Sequence, residues 1–268
     1  MARLKIGVSG LSGRMGRTLA AFIQDHGNVE LAGATEHQGH PWIGTPVSEC
    51  LNGLKSEVRV LSDAGEAFQG VEAVIDFTTP SATVANAAVA GEFGIVHVIG
   101  TTGLTAEDLA EISRAAESAV IVRAGNMSLG VNLLTRLTER VAASLDEEFD
   151  IEVLETHHRY KVDAPSGTAL MLGRAARLGR GDPGPELKPQ FHVSGTGPRR
   201  RGEIGYAAVR GGDVVGEHDV IFAADGERIT LRHVATDRVI YARGAVKAAI
   251  WGQGRAFGGY DMVDVLGL

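Results

Sequence analysis

Over roughly its first 125 residues the chain alternates short apolar runs with segments of helical period, and this rhythm constrains the fold more than any other feature. Leu4 to Ser9 is an apolar run that ends at a glycine. Arg14 to Asp25 then sets Met15, Leu19, Phe22 and Ile23 on one helical face. Val29 to Thr35 reads as a second strand and leads into Glu36, and Val58 to Leu61 as a weaker one. Ala73 to Phe77 runs into Thr78, Thr79 and Pro80, and an Ala-rich helix follows over about Ser81 to Phe93. Val96 to Ile99 is a strand that opens onto Gly100, Thr101, Thr102 and Gly103. Thr105, with Asp108 three residues on, starts another helix by a capping box. Ala119 to Val122 leads to Ala124, Gly125 and Asn126. Strands separated by helices pair in parallel, so an α/β sheet is expected here.

The pattern then changes. A helix is expected over about Leu129 to Leu145, a strand over Ile151 to Thr156, and a helix after Pro165. A Gly/Pro-rich loop runs from Gly179 to Pro198. Three β-rich segments follow: Ile204 to Arg210, Val214 to Ala223 and Arg228 to Val234. Their links are too short for crossovers, so an antiparallel meander is expected. A last helix, about Arg238 to Trp251, precedes the tail. Two domains follow, with a boundary near residues 125–130.

The chain has 268 residues, 44% of them hydrophobic, which is enough to bury a sizeable core. Gly is about 13% against a usual ~7%, which fits tight turns and close backbone approaches. A net charge of −7 argues against nucleic acid as a partner. The basic run Arg199-Arg200-Arg201 is read as a solvated loop, with a cationic flap for a dicarboxylate as the sharper alternative. The single cysteine, Cys50, forms no intrachain disulfide, and there is no CxxC or HExxH spacing, so no metal is expected. With no apolar leader and no stretch of membrane-spanning length, a soluble cytoplasmic protein is expected.

The first strand runs into Gly10-Leu11-Ser12-Gly13-Arg14-Met15-Gly16. This G-x-x-G-x-x-G departs from the usual G-x-G-x-x-G, yet it follows a strand, opens a helix and lies in a βαβ unit. Glu36 stands 20 residues after Gly16, where a ribose-binding acid belongs. Small residues at the helix start let a pyrophosphate approach the amides. Gly100-Thr101-Thr102 and Ala124-Gly125-Asn126-Met127 sit at the ends of other strands. Each alone is equally an ordinary turn; together they are the candidate lining of a nicotinamide pocket. Glu36 repels a 2′-phosphate and its neighbour is His37 rather than a permanent cation. NADH is therefore expected to serve at least as well as NADPH.

The chemistry concentrates between Glu152 and Ala169, which read EVLETHHRYKVDAPSGTA. His157, His158, Lys161 and Asp163 fall within seven residues, and Ser166-Gly167-Thr168 opens a helix whose amides can hold an anion. Alone, each histidine is more often structural and the lysine a solvated cation. Zinc is disfavoured because adjacent strand histidines point to opposite faces. An anionic small molecule needing proton transfer fits the set.

This segment resembles the signature E-x-x-E-x-H-x-x-x-K-x-D-x-P-S-G-T-A of the 4-hydroxy-tetrahydrodipicolinate reductase family, also called dihydrodipicolinate reductase. It matches at Glu152, Glu155, His157, Lys161, Asp163 and Pro165 through Ala169. GRMG at Gly13 to Gly16, IGTTG at Ile99 to Gly103, VGEHDV at Val215 to Val220 and the tail from Asp261 to Leu266 also look like family segments. His37 stands where the family often has Arg; Gly125 and Met127 stand where it often has Ala and Phe.

The resemblance implies a Rossmann-like dinucleotide-binding domain over residues 1–128 and 239–268. It implies a smaller open α/β substrate and oligomerisation domain over 129–238, a homotetramer, and a hinged closure. It implies NADH or NADPH along Gly10 to Met15 with Glu36 on the ribose. It implies a cyclic imine dicarboxylate held by His158, Lys161, Ser166, Gly167 and Thr168. His157 is then the expected general acid, with Lys161 stabilising or protonating charge that develops on the ring. Asp163 is expected to fix the turn before Pro165 through backbone amides, and Glu155 to be structural. The rivals are another two-domain amino-acid dehydrogenase, which would lack the KxDxPSGTA run, and a non-catalytic NAD(P) sensor, which would lack proton donors beside the anion site.

Overall fold

The computed structural model describes residues 2–182, 190–191, 199 and 201–268. In chain order the elements are β1 (Leu4–Ser9), α1 (Arg14–Asp25), β2 (Val29–Thr35), α2 (Val47–Cys50), β3 (Val60–Leu61), α3 (Ala64–Ala67) and β4 (Ala73–Asp76). Next come α4 (Pro80–Phe93), β5 (Val96–Ile99), α5 (Ala106–Ala115), β6 (Val120–Arg123), α6 (Leu129–Ser144), β7 (Asp150–His157) and α7 (Gly167–Gly179). The chain closes with β8 (Gln190–Phe191), β9 (Ile204–Arg210), β10 (Gly216–Ala224), β11 (Glu227–Ala235), α8 (Val239–Gly252), β12 (Gly258–Tyr260) and α9 (Met262–Leu266). Two compact units result: Met1–Ser128 with Arg238–Gly267, and Leu129–Asp237 with Leu268.

The first unit is built on a seven-stranded parallel sheet of order β12-β6-β5-β4-β1-β2-β3. Strand β4 is buried at all four positions and β1 at Ile6 to Val8, because helices cover both faces; hence the uninterrupted apolar runs. The order reverses between β1 and β4. The crevice beyond the carboxyl ends of those two strands is where such sheets take ligands. Helix α8 returns from the end of the chain to this unit. Its Ala242, Gly244, Ala245, Ala248 and Ala249 are buried, and at Gly244 an added Cβ would stand 1.7 Å from the Met127 carbonyl oxygen. Small residues set that spacing. Strand β12, beside β6, and α9, with its Asp261–Asp264 capping box, extend the unit; the sequence reading has neither.

The second unit has a five-stranded sheet of order β11-β10-β7-β9-β8. The three β-rich segments are not a meander. Strands β10 and β11 form an antiparallel hairpin, but β7 lies between β10 and β9 and pairs parallel with β9. The short link from β9 to β10 fixes only their opposite directions. It is long enough to step over the end of β7, where Gly211 N–H donates to the His157 carbonyl. Helices α6 and α7 cover one face, packing Leu134, Ala169 and Leu172 on Ile151, Val153, Tyr206, Val220 and Phe222.

Most of the loop expected over Gly179 to Pro198 lies outside the described residues, as does Arg200. Arg199 corrects the reading of a solvated run. It is half-buried, donates to the Ile151 carbonyl at 2.7 Å, and lies 3.2 Å from Glu152. A guanidinium beside Asp150 and Glu152 finds partners that water does not match.

Candidate active site

In the first unit the glycine loop bends sharply after β1. Gly10 has φ +72°, and a Cβ there would meet Thr78 Cγ2 at 2.7 Å. At Gly16 a Cβ would lie 2.2 Å from the Gly10 carbonyl oxygen, so only glycine lets α1 start this close to the strand. The helix opens at Gly13 with no side-chain cap and no acid in its first turn, which leaves its positive end available to an anion.

Glu36, 8% exposed, follows β2 and accepts from Ser12 N–H at 2.6 Å and His37 N–H at 3.2 Å. Burial works to raise its pKa. The hydrogen bonds from Ser12 and His37, with His40 nearby, outweigh it and hold the carboxyl below its ordinary value. A cavity of about 660 Å³ is lined by Gly10, Ser12, Gly13, Glu36 and His37, together with Thr35, Ser62, Asp63, Thr78, Thr79 and Asn86. The glycine cradle, the uncapped helix and the buried acid fit a dinucleotide.

Two of the expected cofactor contacts are corrected in part. Leu11 and Met127 have side chains fully in the core, because each fills apolar space behind its loop; only their backbones face outward chemistry. Arg14, Thr102, Gly103, Gly125 and Met15 are exposed or half-exposed beside the strand ends. Thr101 turns inward to a network that the sequence reading missed. Asp76, fully buried at the end of β4, accepts from Thr78 N–H (2.9 Å), Thr78 Oγ1 (2.6 Å), Asn86 Nδ2 (2.8 Å) and Thr101 Oγ1 (3.3 Å). His97 Nε2 lies 3.4 Å from it. This ties the loops after β4 and β5 to one carboxylate. The signal in the sequence is the charge that ends an otherwise apolar AVID run.

In the second unit β7 buries alternate residues: Ile151, Val153, Glu155 and His157. The face that is core at its start is ionisable at its end. Glu155, 1% exposed, accepts from His157 Nδ1 at 2.5 Å, from both Arg210 nitrogens at 2.7 Å and from Ser166 N–H at 3.1 Å. Burial pushes its pKa up, but the His157 and Arg210 hydrogen bonds dominate and bring it to about 2. His218 on β10 pairs with Glu155 of β7; its ring packs edge-on to His157 at 5.1 Å, and its Nε2 is 3.1 Å from Ser166 Oγ. Burial, then His157, lowers its pKa to about 4, so it is neutral near pH 7.

Ser166 caps α7 by accepting from Ala169 N–H at 3.2 Å. Next to it Gly167 is exposed, and among the described residues nothing lies within 4 Å of where a Cβ would sit, so these leave the helix mouth open. Lys161 is not a loose cation: its Nζ stands 2.7 and 2.8 Å from the two Asp163 oxygens. Asp163 thus binds the lysine side chain as well as its own backbone amide, since a short Lys-x-Asp turn brings charge to charge. His158 lies half-buried just past the strand, 6.4 Å from the Tyr160 ring. The structure thus gathers His157, Ser166 and the α7 mouth, and adds Arg210 and His218. Arg210 ends a separate strand, which no local motif reveals; His218 lies within the VGEHDV segment.

Residues 4–127 match the family model for the dihydrodipicolinate reductase N-terminus and residues 130–266 that for its C-terminus. A protein of Ruegeria sp. (strain TM1040) named 4-hydroxy-tetrahydrodipicolinate reductase is 58% identical over 97% of both chains. One of the same name from Ruegeria pomeroyi is 60% identical over the same shares. Among solved structures, the dipicolinate-bound dihydrodipicolinate reductase from Paenisporosarcina sp. TG-14 superposes with TM-score 0.77 over 98% of each chain at 23% identity.

Proposed function

This chain belongs to the dihydrodipicolinate reductase family, and from that premise we propose how its own residues carry out the reaction. The reaction is the NAD(P)H-dependent reduction of 4-hydroxy-tetrahydrodipicolinate, via dihydrodipicolinate, to tetrahydrodipicolinate in diaminopimelate and lysine biosynthesis.

The glycine loop from Gly10 to Met15 holds the pyrophosphate and Glu36 the adenine ribose. Gly100, Thr101, Thr102 and the Ala124 to Met127 turn border the nicotinamide, which supplies a hydride when bound. Thr101 contributes through the Asp76 network and Met127 through its backbone. Because Glu36 is ionised and His37 follows it, NADH serves at least as well as NADPH. A kcat/KM strongly favouring NADPH at neutral pH overturns that preference.

One substrate carboxylate sits on the Gly167 and Thr168 amides, with Lys161 and His158 as its cationic and hydrogen-bonding partners and Ser166 setting the helix mouth. Loss of the 4-hydroxyl as water leaves a conjugated cyclic imine. Reduction at ring C4 drives electron density toward the ring nitrogen. Lys161 stabilises that charge and His157 Nε2 delivers the proton. The single observation that carries this is the Glu155–His157 pair. With Nδ1 bonded to a carboxylate, Nε2 is the atom left to give a proton.

Assembly as a cytoplasmic homotetramer belongs to the same reading. The sheet face of the second unit opposite α6 and α7 carries Val209 and Val234, each 47% exposed. No described helix is long and apolar enough to cross a membrane.

The test follows NADH absorbance with aspartate semialdehyde, pyruvate and the upstream synthase supplied. The wild type consumes NADH and His157→Gln loses most of its kcat. A variant with unchanged kcat removes His157 as the acid. Light scattering gives the assembly, with a monomer as the contrary result.

A further inference from the structure

Just beyond β2 the chain reads Glu36-His37-Gln38-Gly39-His40, and His40 has no part in the cofactor or substrate contacts proposed above. One ligand atom from each of Glu36, His37 and His40 lies within 4.8 Å of the other two. Gly39, at φ +84°, turns the chain so that the second histidine comes back toward the first.

Zinc ligands about 2.1 Å from the metal stand about 3.4 Å from one another. The set must therefore close by at most about 1.4 Å, and the side chain of His37 is exposed enough to move. His37 Nδ1 lies 3.1 Å from the Gln38 carbonyl oxygen. A proton donated there leaves the Nε2 lone pair bare, the arrangement that orients metal-binding histidines. His40 is held edge-on between the His37 and Trp42 rings, 5.2 Å from each. Its Nδ1 accepts from Trp42 N–H at 3.2 Å, so coordination through Nε2 costs only that long bond. Glu36 accepts from Ser12 and His37, and the roughly four lone-pair sites of a carboxylate leave room for an ion beside those bonds.

We propose that Glu36, His37 and His40 form a site for a divalent transition-metal ion, and that this ion and the dinucleotide exclude each other. Two imidazoles with one carboxylate suit Zn²⁺, Co²⁺ or Ni²⁺ and not Mg²⁺ or Ca²⁺. Exclusion follows because the ion takes the carboxylate that faces the cavity, and it rests on the reading of Glu36 as the ribose acid. The metal is thus an inhibitor competitive with NADH, not a resident cofactor.

The full chain, stripped by chelation, is titrated with Zn²⁺ by calorimetry and with Co²⁺ by absorbance. One ion per chain is expected, with Mg²⁺ giving no heat. His40→Gln weakens Zn²⁺ binding at least about tenfold and leaves NADH binding unchanged; His37→Gln repeats the metal result should the first variant misfold. Saturating NADH abolishes Zn²⁺ binding in the wild type. Absence of one-to-one binding, or binding that both variants retain, overturns the site and leaves the ribose reading standing. Binding that needs His40 yet persists under saturating NADH overturns the exclusion, and with it the role given to Glu36.

Discussion

Glu155 and His157 leave β7 on the same face, two residues apart, with Glu155 Oε2 2.5 Å from His157 Nδ1. A strand that buries one face normally fills it with apolar side chains. Here Ile151 and Val153 do so, and the next two positions hold an ion and its partner. The carboxylate is tolerable at 1% exposure because Arg210 and Ser166 N–H occupy its remaining lone pairs.

Glu155→Gln should therefore act on rate and on folding together. The loss of the His157 anchor is expected to cut kcat by about 10² or more, the scale of a mispositioned general acid, with a smaller change in substrate KM. Leaving Arg210 unpaired should cost on the order of 3 kcal/mol in urea unfolding. Lower stability with an unchanged kcat would make Glu155 purely structural.

Acid should weaken the second unit in two stages. His218 has a folded pKa of about 4, below its ordinary 6.5, so the unfolded chain binds more protons between those values. Its contribution is fully present above about pH 6.5 and lost as pH falls toward 4. Glu155, at about 2 against an ordinary value near 4.5, contributes above that value and loses its contribution between there and pH 2. Urea midpoints from pH 7 to 3 should show both slopes. His218→Gln should flatten the upper one and Glu155→Gln the lower; unaltered slopes would refute the assignment.

Lys161→Ala should separate chemistry from folding. Its ion-pair partner Asp163 is 53% exposed at the side chain, so losing the pair should cost no more than about 1 kcal/mol. The expectation is a sharp fall in kcat with the NADH dissociation constant nearly intact. Equal loss of both would assign Lys161 a structural part.

Much of this was readable from local signals. Strand β2 and helix α1 fall on the residues that alternation and helical period mark, and the Thr105–Asp108 capping box is present. Local periodicity says nothing about which strands lie side by side. A five-residue link between β9 and β10 is compatible with adjacency or with a step over β7, and the core face of β7 decides for the latter. The same holds in the site. His157 and Ser166 are near in sequence and legible; Arg210 and His218 reach Glu155 only through the sheet register. Strand β12, Gly258–Tyr260, is too short and too glycine-rich to read as a strand, and exists because the edge of β6 offers it hydrogen bonds.

Gly10→Ala should show how tightly the cofactor loop is built. The substitution carries two costs. Its φ of +72° is strained for any residue with a Cβ, by about 1–2 kcal/mol. The new methyl would also lie 2.7 Å from Thr78 Cγ2, and Thr78 is fixed to Asp76 through both its N–H and its hydroxyl. The loop has to move, and the amides that face the pyrophosphate move with it. Gly70→Ala is the matched control, since its φ is +77° and nothing lies within 4 Å of the added Cβ. Both variants should lose stability from strain, but only Gly10→Ala should also weaken NADH binding, by about tenfold or more, the equivalent of ~1.4 kcal/mol. Fluorescence titration of NADH against both variants decides it: equal affinities would mean that the loop absorbs the methyl and that Thr78 does not hold it in place.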